Sequence, residues 1–79
     1  MVQVKIDTDM QKRVKNEIRS YMVAQGHTFE SLAKLMSEKY KRNDTAQNLS
    51  NKLQRGTIKY AEVLEIAEVL GYQIKWDKI

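Results

Sequence analysis

The sequence predicts a mainly α fold, one four-helix domain over residues 1–79 with short N- and C-terminal strands. Apolar residues recur at three- and four-residue spacing through four stretches, and cap-forming residues and glycines punctuate those stretches. The two ends of the chain instead alternate apolar and polar residues with period two. A chain of 79 residues buries only about 60% of the surface it exposes when unfolded, which leaves little room for an enclosed pocket. With no proline, no low-complexity tract and three glycines, there is no interdomain linker to place.

Val2-Gln3-Val4-Lys5-Ile6 alternates and predicts the first strand. Thr8-Asp9-Met10-Gln11 has capping-box spacing, so the first helix is expected to begin there. Met10, Val14, Ile18, Tyr21 and Met22 form its apolar stripe to about Gln25, and Gly26 ends it. Thr28 caps the second helix, with Phe29 or Leu32, Ala33, Leu35 or Met36, and Tyr40 facing inward.

The third helix is expected over Thr45–Arg55. Asn43, Asp44 and Thr45 are all cap-type residues, with Asp44 expected to serve as an N-cap, and Gly56 can take the left-handed conformation that stops a helix. Ala46, Leu49 and Leu53 make one buried stripe, so Asp44, Gln47, Asn48, Asn51 and Arg55 share the opposite face. In the fourth helix Val63, Ile66, Ala67 and Leu70 face inward and Glu62, Glu65 and Glu68 outward, with Gly71 at the end. Lys59 is a poor N-cap, and a staple between Ile58 and Val63 compensates. The tail Tyr72-Gln73-Ile74-Lys75-Trp76 predicts a second strand. It would pair with the first strand or with its copy in a dimer, with Trp76 a core or interface anchor.

Composition removes several functional classes. Without cysteine there is neither a disulfide scaffold nor a thiolate metal site, and a single histidine makes a zinc site improbable. His27 lies in a turn with no recognisable nucleophile or base beside it, so no catalytic residues, metal or cofactor are expected, and no small-molecule substrate. No apolar run approaches the length of a membrane span, which predicts a cytoplasmic protein without a membrane partner.

Fourteen basic and ten acidic residues give a net charge of +4. Residues 39–59 hold Lys39, Lys41, Arg42, Lys52, Arg55 and Lys59 against Asp44 alone, whereas residues 60–70 hold three glutamates and no base. Charge segregated in this way suits a protein with one side toward a polyanion and another turned away. Asn and Gln pair in bidentate fashion with adenine in the major groove, and Arg with guanine, so the outer face of the third helix is suited to reading base edges.

Two consecutive capped helices, the second with amides outside and followed by a glycine and another helix, form a helix-turn-helix order. Thr28, Leu32-Ala33, Met36, Leu49, Leu53, Gln54-Arg55-Gly56, Ile66-Ala67 and Leu70-Gly71 together resemble the Cro/lambda-repressor type of phage and bacterial DNA-binding domain. Here the connection from Glu38 through Asp44 is longer than that family's tight turn. Phe29 stands where a phosphate-touching glutamine is common, and Gln54 where a glutamate is frequent.

The resemblance implies a lambda-repressor-like fold and sequence-specific binding of double-stranded DNA by a transcriptional regulator acting as a homodimer. Gln47, Asn48, Asn51 and Arg55 are then the base contacts, and Thr28, Lys39, Lys41, Arg42, Ser50 and Lys52 the phosphate contacts. The lengthened connection and the missing glutamine support an alternative. It is a helix-turn-helix-derived protein-protein interaction module, antitoxin-like or an adaptor, without specific DNA binding.

Overall fold

A computed structural model describes the backbone of residues 2–79 and the side chains from Asp9 onward. Four helices follow in order: α1 (Val2–Ala24), α2 (Phe29–Tyr40), α3 (Ala46–Arg55) and α4 (Tyr60–Leu70). α2 packs against α3 and α4, and α1 lies against the same two helices. Each helix contributes its apolar stripe to one core: Ile18 and Met22, then Leu32, Ala33 and Met36, then Leu49 and Leu53, then Ile66 and Leu70. Leu32 and Met36 are wholly enclosed. Burying side chains of this size stabilises the fold by about 1.5–3 kcal/mol each.

The helix ends follow the cap chemistry closely. Gly26 takes φ 75° after α1. Thr28 then caps α2, its Oγ1 accepting the Ser31 N–H at 3.2 Å while Ser31 Oγ accepts the Thr28 N–H at 2.9 Å. Thr45 caps α3 by accepting the Asn48 N–H at 3.1 Å. Lys59 has only a long ammonium side chain to offer at the start of α4, and its own N–H is satisfied by the Glu62 carboxylate at 3.1 Å.

Several expectations are corrected. Among the described residues there is no strand. Val2–Ile6 belongs to the backbone of α1, because five alternating residues without a partner strand satisfy their amides better within a helix. Thr8 and Asp9 therefore lie inside α1, whose preceding turns already supply carbonyls to the amides a cap would have served. The tail after Gly71 is neither helix nor strand.

α2 continues through Tyr40, so the connection to α3 is only residues 41–45 rather than the segment from Glu38. Lys41, at φ 54°, makes the left-handed turn that a glycine would ordinarily make. Asp44 is not an N-cap. Its N–H donates to Ser37 Oγ at 2.9 Å, and its carboxylate accepts from Arg42 Nε at 3.1 Å. Trp76 is not a core residue either. It is 85% exposed, edge-on to Tyr60 at 6.3 Å between ring centroids, and its Nε1 donates to the Tyr60 hydroxyl at 3.1 Å.

At the other end of the tail Tyr72 packs on Tyr21 at 4.6 Å, and its hydroxyl accepts from Gln25 Nε2 at 2.9 Å. The tail thus runs back along the α1–α4 groove. Of the five residues expected to bury the stripe of α1, Ile18 and Met22 do so, while Tyr21 remains exposed along that groove and Met10 and Val14 remain exposed in a second hollow beside Gly56, Ile58 and Tyr60. Among the described residues no helix is long and apolar enough to cross a membrane.

Candidate nucleic-acid interface

Leu49 and Leu53 pin one side of α3 into the core, and 3.6 residues per turn then dictate what the other side presents. Gln47, Asn48, Asn51 and Arg55 are all exposed, and among the described residues their side chains make no hydrogen bond or ion pair. Thr45 and Gly56, φ 69°, fix the two ends of the helix. The four expected base-reading residues therefore share one rigid, outward face. Gln54 joins its edge, accepting from Lys15 Nζ of α1 at 3.4 Å.

The residues expected to meet phosphate separate into two groups. Thr28 and half-buried Ser50 come together with Gln47 along a shallow groove where α2 begins, with Glu30 also on its wall. The Thr28 hydroxyl is already engaged as the α2 cap. Lys41 is exposed at the end of α2.

The remaining three cations are held by α4. Lys39 pairs with Glu68 at 3.0 Å, and Lys52 with Glu62 at 2.5 Å. Arg42 makes a two-pronged pair with Glu65 at 2.8 and 3.2 Å and a further contact to Asp44 at 3.1 Å, its guanidinium lying 5.1 Å over the Tyr40 ring. The hydrogen bonds to Glu65 hold the Arg42 pKa well above its ordinary value, with Asp44 adding to the effect against partial desolvation. For Glu62, burial works to raise the carboxyl pKa, but the Lys52 ammonium and the Lys59 N–H together pull it below the ordinary carboxylate range.

Charge is consequently not segregated in space as it is along the chain. The three glutamates of α4, expected to face solvent away from the basic segment, are its partners. Three cations and four carboxylates make this flank of α3 a charge-paired network, in which a phosphate must compete with the carboxylates already on Lys39, Arg42 and Lys52. Sequence spacing gives no sign of these pairs, which join residues 10 to 29 positions apart.

A second surface was missed altogether. The Gln11 side chain lies so close to Gly56 that a Cβ there would fall 2.5 Å from it, which places this part of α1 against the end of α3. The signal was available, since Gln11 and Lys15 stand one helical turn apart. His27 serves locally, with Nδ1 2.9 Å from Ser31 Oγ. Among the described residues no group of His, Cys, Asp or Glu is placed to hold a metal.

Comparison with known proteins matches residues 10–74 to a family model describing a domain of unknown function. Those bounds enclose most of α1, all of α2, α3 and α4, and the start of the tail. No curated protein and no solved structure matches the chain.

Proposed function

With most of its length matched, the chain belongs to the DUF6471 family, and we propose that it is a sequence-specific double-stranded DNA-binding protein whose helix α3 enters the major groove. One observation carries this: Gln47, Asn48, Asn51 and Arg55 stand exposed on a helix that is capped at both ends and anchored by Leu49 and Leu53. Fixed amides without internal partners suit bidentate pairing with adenine, and Arg55 suits guanine. Thr28, Ser50 and Lys41 flank that face as phosphate contacts. Lys39, Arg42 and Lys52 contribute when phosphate replaces their glutamates.

The packing of α2 on α3 supports the helix-turn-helix reading and its resemblance to the Cro/lambda-repressor type, and a transcriptional regulator of phage or bacterial kind is the corresponding role. Such a protein acts as a homodimer on a two-fold site. The apolar α1–α4 groove and outward Trp76 give a surface on which two copies can meet.

Selection of bound sequences from random duplex DNA tests the proposal. An enriched palindrome is expected, and Gln47→Ala and Asn51→Ala should each lose about 1–3 kcal/mol of discrimination against random DNA. If both variants keep the parent's preference, α3 does not read bases.

A second reading has its own support. The charge-paired α4 network and the exposed Met10, Val14, Tyr21 and Leu64 suit a protein-protein interaction module. A folded chain that binds no duplex at low salt would favour it, because phosphate binding by several cations must strengthen as salt falls.

A further inference from the structure

We infer that the basic flank of α1, formed by Lys12, Lys15 and Arg19, holds the phosphates of the DNA strand that borders α3. The inference rests on the proposed entry of α3 into the major groove and adds a surface to it. Lys15 Nζ lies 3.4 Å from Gln54 Oε1, and Gln11 abuts Gly56, so this flank runs beside the C-terminal half of α3. At 100° per residue, Lys12 and Arg19 fall within about 60° of Lys15 around α1. Both are exposed, and Lys15 is half-buried.

Charge distinguishes this side of α3 from the other. Lys39, Arg42 and Lys52 are neutralised by α4, whereas among the described residues no carboxylate pairs with Lys12, Lys15 or Arg19. Glu17 points to the opposite side of α1, lining the α1–α4 groove, and Asp9 stands one turn before Lys12 at the outer edge. The occupant that fits is a row of phosphates. Packed helices lie about 8–10 Å apart, and the major groove is about 12 Å wide. A helix packed beside one seated in the groove therefore comes over the backbone that forms its wall.

The test uses the full chain, a duplex carrying its selected site and a scrambled duplex, with affinity followed between 50 and 200 mM salt, roughly the range over which phosphate contacts dominate. The triple variant Lys12→Gln, Lys15→Gln, Arg19→Gln should lower the slope of log affinity against log salt by about 2.7, since each lost contact removes about 0.9. Its preference for the selected site should persist. A control that removes two charges from the tail, Lys75→Gln with Lys78→Gln, should leave the slope near that of the parent. Should the triple variant lose its helical circular dichroism, the exposed pair Lys12→Gln, Arg19→Gln gives the same test with a drop of about 1.8. Parent-like slopes in a folded variant, with DNA binding by the parent intact, overturn this inference alone. A parent that binds neither duplex overturns the DNA reading and this surface with it.

Discussion

Replacing Glu65 and Glu68 together by glutamine should move stability and DNA affinity in opposite directions. Glu65 is 25% exposed and holds the 37% exposed Arg42 through two hydrogen bonds, a geometry near the top of the range for partly screened pairs, about 1 kcal/mol. Lys39–Glu68, at 44% and 66% exposure, adds only about 0.2–0.5 kcal/mol. A loss of about 1–1.5 kcal/mol in a domain of this size lowers Tm by about 4–8 °C for each kcal/mol. The same change frees Lys39 and leaves Arg42 held by Asp44 alone, so one to two phosphates gain contacts and the salt slope steepens by about 0.9–1.8.

Thermal unfolding by far-ultraviolet circular dichroism reads the first effect, and fluorescence anisotropy of labelled duplex over a salt series reads the second. An unchanged Tm would show that these pairs contribute nothing to folding. A lowered Tm with no gain in affinity and no change of slope would show that α4 does not shield this flank from DNA. One carboxylate pair is thus expected to act in folding and against binding at once.

Two further outcomes follow from local geometry. Gly56→Ala should destabilise the fold by about 1–2 kcal/mol, because φ 69° is costly for a residue with a Cβ; the Gln11 side chain must also yield. Denaturant unfolding measures the loss, and a parent-like midpoint would mean that the α3 end rearranges freely. Glu62 makes stability depend on pH in one direction. Its folded pKa lies below the ordinary value, so the stabilisation is fully present above the unfolded carboxyl pKa, about 4.3, and is lost as pH falls through the folded value. Glu62→Gln should flatten that acid limb of the stability profile and leave its shape near neutrality unaltered.

The features legible in the sequence were the local ones. Thr28, Thr45, Gly26, Gly56 and Gly71 mark helix ends through bonds to residues a few positions away, and Leu32, Met36, Leu49, Leu53, Ile66 and Leu70 reveal their faces by spacing. The outward face of α3 was legible for the same reason. The terminal strands misled because alternation over five residues is also compatible with one helix turn or with an extended tail, and pairing needs a partner that spacing cannot supply. Lys41 concealed a left-handed turn normally announced by glycine, so the connection before α3 looked longer than it is. The α4 ion pairs depend on how helices pack, and nothing local to Arg42 or Glu65 records that they meet.

The tail gives the molecule an internal reporter. Trp76 is the chain's single tryptophan, and it sits on the surface against Tyr60 rather than among the core side chains. Its emission therefore follows the seating of the tail on α4, while circular dichroism follows the helices. If the tail lifts before the helices melt, the two optical signals will part along a single melting curve, and a copy or partner settling over the α1–α4 groove will register as a blue shift without any change in helicity.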